Sequence, residues 1–171
     1  MVTMQSKKIR VFFLSLFFCL SFSGTSCALQ PGSQAPDFEL SGTAGSVKFS
    51  NTAGSLVYLD FWASWCGPCK QSFPWMNAMQ DKYKAQGLKI IAVNLDAKTE
   101  DAKKFLALNP ASFTIAFDSK GVIPVKYGVK GMPTSFLINR NGEIISQHVG
   151  FNLADRDVLE KSIKAALEGK K

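Results

Sequence analysis

Nitrogen and sulfur ligands are scarce in this sequence: its 171 residues include one histidine and four cysteines. Two of the cysteines, Cys19 and Cys27, fall in the first thirty residues, so the body of the chain keeps Cys66, Cys69 and His148. A structural zinc site takes four ligands, more than this set supplies. Covalent haem attachment needs histidine directly after the second cysteine, where this chain has Lys70. No apolar run reaches the ~20 residues of a bilayer-spanning helix, and there is no low-complexity tract or internal period. A strong single-sign charge is also missing. The formal +7 includes Lys7, Lys8 and Arg10 near the start, and without them 17 basic side chains face 13 acidic ones, or +4. The other lysines, such as Lys82, Lys84, Lys103, Lys104 and Lys164, are scattered as on solvated helix faces. That distribution argues against a nucleic-acid partner.

What is present begins with a presequence pattern. Lys7, Lys8 and Arg10 precede an apolar run of about a dozen residues from Val11 to Phe22, and small residues follow to Ala28, the order of a secretory signal. An uncleaved membrane anchor is the weaker reading, because the run is too short. Residues 1–28 are therefore expected to be a signal peptide, and residues 29–171 one domain of about 140 residues, enough to bury its own core. Ser26-Cys27-Ala28 suits cleavage after Ala28, while Gly24-Thr25-Ser26-Cys27 loosely resembles a lipoprotein box and makes Cys27 a candidate lipid anchor. On either reading the domain is exported to an oxidising space, the bacterial periplasm or the outer face of a membrane.

Patterning along the chain alternates strands and helices. Asp37–Leu40 and Val47–Phe49 are short alternating segments among turn residues, an expected N-terminal hairpin. Leu56–Trp62 is almost continuously apolar and aromatic, as in a strand covered on both faces. Asp60 is out of character there, since burying an unpaired carboxylate is expensive. Beyond Cys66-Gly67-Pro68-Cys69, apolar residues recur at helical spacing from Phe73 to Tyr83, with Pro68 suited to a first turn and Pro74 expected to kink the helix without ending it. Leu88–Leu95 is the next strand, Thr99 the expected N-cap of a helix reaching Leu108, Phe113–Phe117 a further strand, and Gly121–Tyr127 a short helix. Thr134–Ile138 and Glu143–Val149 flank Asn141-Gly142 as a hairpin, and the last helix spans about Ala154 to Leu167. Such alternation argues for α/β architecture with parallel strands.

The chemistry concentrates at the cysteine pair. Two residues of separation close too small a loop to hold a domain together, so a purely structural disulfide explains it poorly. A strand feeding a helix places Cys66 at the helix N-terminus, where unpaired N–H groups and the helix dipole favour a thiolate, the nucleophile of disulfide exchange. Cys66 is the expected attacking sulfur. Cys69, one turn further and facing inward, is the expected resolving sulfur. His148 lies far along the chain in a strand pattern and reads as an ordinary surface or core histidine.

Asp60-Phe61-Trp62-Ala63-Ser64-Trp65-Cys66-Gly67-Pro68-Cys69-Lys70, Pro74 eight residues after Cys66, and Tyr127-Gly128-Val129-Lys130-Gly131-Met132-Pro133-Thr134 resemble thioredoxin at its active site, helix kink and cis-proline loop. The presequence, the Pro36-Asp37-Phe38 opening and an insertion of roughly 25 residues before Tyr127 resemble the exported TlpA/ResA-like branch. The resemblance implies a thioredoxin fold: a central mixed sheet flanked by helices, with an N-terminal β-hairpin and a central βα-type insertion. It implies that Pro133 is a cis proline facing the cysteines, and that Met132 and Trp65, beside Gly67 and Pro68, line the groove where substrate backbone docks. It also implies that Asp60 is a buried acid taking the proton of Cys69, the plain alternative being an acid satisfied by a neighbouring donor. The lysine the family carries near this acid would fall at Val93, so the ion pair is absent.

The function that follows is an exported thiol-disulfide oxidoreductase, a reductase of client proteins with oxidised cysteines, such as apocytochromes or metal-centre proteins. It would be a monomer without a cofactor, kept reduced by a membrane thiol electron donor. Two other readings use the same cysteines. A peroxiredoxin shares the Gly32–Phe38 opening, but Leu59 and Ala63 occupy the places of its peroxidatic Pro and Thr. A non-catalytic module would hold a client or metal through Cys66 and Cys69 without turnover.

Overall fold

The computed structural model describes residues 29–169, so the expected signal peptide, Cys19 and Cys27 lie outside the described residues. Seven strands form one mixed sheet, β1 (Glu39–Gly42), β2 (Gly45–Lys48), β3 (Leu56–Trp62), β4 (Leu88–Asn94), β5 (Thr114–Phe117), β6 (Thr134–Ile138) and β7 (Ile144–Val149). Their order across the sheet is β2-β1-β5-β4-β3-β6-β7. Four helices pack on it, α1 (Gly67–Tyr83), α2 (Thr99–Leu108), α3 (Val122–Lys126) and α4 (Asp155–Leu167). This is the α/β arrangement expected from the alternating pattern, with the inserted α2 and β5 extending the sheet through a parallel β4–β5 pair.

All seven residues of β3 are buried, as its unbroken apolar run requires. Parallel β4 lies on one side of it and antiparallel β6 on the other. Alternation divides its side chains between two cores. Leu56, Tyr58 and Trp62 face a cluster with α1, α2 and α4 that includes Cys69, Phe73, Phe105 and Ile163. Val57, Leu59 and Phe61 face the other cluster, with Tyr127, Phe136 and the N-terminal Phe38 and Phe49. Asp60 therefore points with Tyr58 and Trp62 toward the larger, helix-covered core.

Three local expectations shift. The N-terminal hairpin forms, but its strands sit closer to the turn than Asp37–Leu40 and Val47–Phe49. Phe38 and Phe49 stack at 5.4 Å and are both buried, and Phe49 opens a 3₁₀ turn instead of continuing the strand. Gly42 allows this hairpin to join β5, since a Cβ there would lie 2.5 Å from the Ile115 carbonyl oxygen. The helix α2 starts at Thr99, not after it. Lys98 is the N-cap, makes no side-chain cap, and its carbonyl receives the Asp101 N–H at 3.1 Å, so the backbone closes the first turn. Along α1 the helix runs on through Pro74. An interior proline costs about 3 kcal/mol. Burial of Phe73, Trp75, Met76 and Met79, at about 1.5–3 kcal/mol each, outweighs it.

Candidate active site

The C-terminal end of β3 and the start of α1 build the centre. Trp62 ends the strand fully buried, its ring 4.8 Å from Phe73 and 5.0 Å from Phe105. The chain then turns at Ser64 and Trp65, closed by a Cys66 N–H to Ala63 carbonyl bond of 3.1 Å. Cys66 is the N-cap of α1 and its Sγ accepts the Cys69 N–H at 3.3 Å. The helix N-terminus thus directs a backbone donor at this sulfur, the arrangement that stabilises a thiolate once the pair is reduced. Cys66 and Cys69 are joined by a disulfide with Cα atoms 5.2 Å apart. The two differ in access, Cys66 being 6% exposed and Cys69 0%. Gly67 and Pro68 form the first turn of α1, and Trp65 is 73% exposed beside them.

The chain from Gly131 to Thr134 closes the other side. Met132-Pro133 is a cis peptide, and half-buried Met132 packs against the cluster holding Cys66 and Cys69. Phe61 pairs with Thr134, so the next step of that antiparallel register sets Pro133 across from Trp62. The loop is held by a Thr134 Oγ1 bond to the Gly131 carbonyl at 2.7 Å and a Gly150 N–H bond to the Pro133 carbonyl at 2.8 Å.

Asp60 is 2% exposed, and no donor reaches its Oδ2 among the described residues. Burial holds its carboxyl well above the usual carboxylate range. Val93 pairs with Phe61 and points into the opposite core, whereas Ala92 is the residue in register beside Asp60. Neither is basic, so Asp60 has no cationic partner there.

One residue of this region escaped the sequence reading. Asp96, two residues past β4 and 3% exposed, accepts the Ser64 N–H at 3.0 and 3.2 Å, the Ser64 hydroxyl at 3.1 Å and the Asn94 side-chain amide at 2.8 Å. Asn94 Oδ1 takes the Asp96 N–H in return, at 3.1 Å. This knot fixes the turn before Cys66 to the end of the neighbouring strand. The available signal was an acidic residue at the C-terminal end of a parallel strand, the edge of α/β sheets where sites assemble. His148 is half-buried on β7, its Nε2 3.5 Å from Asp155 Oδ2. Among the described residues no group of three or more His, Cys, Asp or Glu side chains is placed to hold a metal ion.

Comparison with known proteins agrees with this geometry. The AhpC/TSA family model matches residues 31–147. Thiol-disulfide oxidoreductase ResA of Geobacillus kaustophilus is 37% identical over 125 residues, covering 72% of each chain. The ResA of Bacillus anthracis is 36% identical over 123 residues, covering 71% of each. A crystal structure assigned to a thiol:disulfide interchange protein DsbE from Chlorobium tepidum superposes with a TM-score of 0.81 at 67% identity, covering 81% of this chain and 99% of that one. A thioredoxin fold, a cysteine pair closed at a helix N-terminus and these likenesses converge, and the chain belongs to the AhpC/TSA family, in its TlpA/ResA-like branch of thiol-disulfide oxidoreductases.

Proposed function

We propose that the protein is exported and reduces client disulfides, with Cys66 as nucleophile and Cys69 as resolving cysteine. The observation that carries the division of labour is the unequal exposure of two bonded sulfurs at one helix N-terminus: Cys66 reaches the surface and receives the Cys69 N–H, while Cys69 is wholly enclosed. The reduced enzyme begins with a Cys66 thiolate and a Cys69 thiol. Attack on a client disulfide forms a Cys66–client bond and releases one client thiolate. Cys69 then loses its proton to Asp60, attacks the Cys66 sulfur and expels the second client thiolate, leaving the Cys66–Cys69 disulfide. Two electrons pass to the client, whose thiolates take protons from solvent. Trp65, Gly67, Pro68, Met132 and Pro133 surround the reacting sulfur as the docking rim for client backbone.

Residues 1–28 act in this reading as the export signal of one domain spanning 29–171, with Cys27 as a candidate lipid anchor. Apocytochromes and metal-centre proteins are the client classes, and a membrane thiol donor returns the electrons. The Gly-Pro dipeptide between the cysteines supports a potential nearer thioredoxin's ~−270 mV than the ~−120 mV of a strong oxidant. Equilibration of Cys66/Cys69 against a dithiol buffer measures it, and a value near the oxidant end overturns the reductase direction. Reduction of insulin disulfides with dithiothreitol separates turnover from passive binding. Wild type accelerates it and Cys66→Ser does not; equal rates favour the binding module. A peroxidase is disfavoured because Leu59 and Ala63, at the places of its motif, are fully buried apolar residues.

A further inference from the structure

The loops after β4 and β5 repeat one pattern, an acid turned inward and a lysine turned out. Asp96-Ala97-Lys98 follows β4 and Asp118-Ser119-Lys120 follows β5. Both aspartates are buried, Asp96 in the knot on Ser64 and Asp118 accepting the Ile123 N–H at 2.7 Å. The Asp118 N–H donates to the Asn94 carbonyl at 2.9 Å, and Asn94 bonds Asp96 through their side chains. Both loops are thereby tied to the turn that precedes Cys66, while Lys98 and Lys120 are exposed. Two further exposed lysines stand by the sulfurs. Lys70 lies one helical turn past Cys66, its N–H on the Cys66 carbonyl at 3.1 Å, and Lys130 lies just ahead of Met132-Pro133 in the facing loop. Among the described residues none of Lys70, Lys98, Lys120 and Lys130 is in an ion pair, whereas Lys48, Lys82, Lys84 and Lys104 each hold a carboxylate. Of the other acids bordering this edge, Asp101 is engaged by Lys104 and Asp155 lies 3.5 Å from His148. Glu100 at the start of α2 and Asp157 at the start of α4 remain as exposed carboxylates without an ion pair.

We infer that this lysine rim selects client proteins whose disulfide is flanked by acidic side chains. The inference rests on the proposed reductase role of the same site and names its substrate class. A client must bring its disulfide to Cys66, because Cys69 is wholly enclosed, so the residues beside that disulfide pass over this edge of the sheet. Carboxylates beneath and ammonium groups above form a double layer, positive on its outer side. An arriving chain meets the cations first, and the selection is short in range. Lysine heads on flexible stems make no fixed pocket, so they discriminate by charge and not by one sequence. Trp65, exposed between them, adds an apolar contact near the reacting sulfur. The rim fits a protein better than an anionic membrane, because a bilayer laid over these lysines would also cover Cys66 and bar the client.

The test uses two peptides with the same internal disulfide, flanked by glutamates in one and by lysines in the other. Exchange rates are measured in both directions, reduced protein on peptide disulfide and disulfide form on peptide dithiol. Each is divided by the rate of the same peptide with dithiothreitol in the matching redox state, which removes the peptide's own reactivity. At about 0.01 M ionic strength, where charges act over about 30 Å, the glutamate peptide reacts at least about tenfold faster. At about 1 M salt, where they act over about 3 Å, the ratio falls below about threefold. Lys98→Glu with Lys120→Glu lowers the low-salt ratio at least about fivefold, and Lys130→Glu in the facing loop lowers it independently. Lys89→Glu with Lys164→Glu, the same change of net charge at the far end of β4 and along α4, leaves it within about twofold. The rate with neutral hydroxyethyl disulfide reports any change in Cys66 itself and is divided out. Equal rates for the two peptides, or an equal loss in the far-end variant, overturn the selection and leave the reductase role standing. A glutamate preference seen only from peptide dithiol to protein disulfide overturns the reductase direction and leaves the rim standing, and no exchange with either peptide overturns both. Binding to phosphatidylglycerol vesicles that Lys98→Glu with Lys120→Glu abolishes, beside equal peptide rates, gives the rim to a membrane and overturns the inference.

Discussion

Asp96→Ala should be among the most damaging substitutions outside the cysteine pair. Its carboxylate accepts from three donors: the Ser64 N–H, the Ser64 hydroxyl and the Asn94 amide. Hydrogen bonds to a charged acceptor contribute about 1.5–3 kcal/mol each. The Asn94 bond is enclosed, with Asn94 1% and Asp96 3% exposed, and counts in full. Ser64 is half-buried, so water replaces part of what its two donors lose. Counting those two bonds at half value gives a total of roughly 3–6 kcal/mol. For a domain of this size about 1 kcal/mol moves the melting temperature by roughly 3 °C, so the variant should melt about 9–18 °C lower, with Asp96→Asn lowered less because it keeps one acceptor. Thermal unfolding followed by circular dichroism measures the shift. Insulin reduction below the new melting point reports the looser turn before Cys66, with an expected loss of activity while the helix content stays native. A melting temperature within 2 °C of wild type would show that the knot is solvated as readily as it is bonded, and the reasoning would fail.

Asp60 sets a pH dependence of stability. Its folded carboxyl titrates above the unfolded value of ~3.9 because burial disfavours the charge. The folded state then binds more protons, so stability is full below about pH 4 and declines as pH rises toward the folded midpoint. Asp60→Asn should remove that decline, and urea midpoints measured from pH 4 to 8 that fall equally in both proteins would contradict it. The same variant should resolve mixed disulfides more slowly. Cys69→Ser should accumulate a Cys66–client disulfide visible on a non-reducing gel, and its absence would remove Cys69 from the resolving role. Trp65→Ala should change stability by less than about 0.5 kcal/mol, since its ring is largely in water. It should raise KM for a peptide disulfide with little change in kcat; an unchanged KM would take Trp65 out of the docking rim.

Much of the sheet was readable because burial on both faces leaves a mark on the chain. Leu56–Trp62 reads as a strand covered on both faces and is buried along its whole length, while Leu88–Leu95 reads as the next strand and is buried over Leu88–Asn94 except at Lys89. Boundaries were less readable where long-range packing competes with local pattern. Phe49 alternates as a strand residue, yet its ring is drawn to Phe38 and starts a turn. Thr99 is a good cap by type, but the Lys98 carbonyl already satisfies the first turn. Val93, the place of the family's lysine, and Ala92 beside Asp60 lie on opposite faces of β4, and in a strand one residue is the difference between the two faces of the sheet.

The cysteines, the helix that begins between them and the proline loop announce the chemistry in short segments whose order survives in the linear chain, because strand-to-helix geometry is local. The sequence by itself therefore determined the reaction class and the two sulfurs. Only the tertiary structure decided what surrounds them: that Asp60 Oδ2 has no hydrogen-bond partner among the described residues, that Asp96 holds the turn before Cys66, and that Ser135 and His148 follow Asp60 in strand register. Those relations join residues 32 to 88 positions apart, and strand register, which no local pattern records, brings them together.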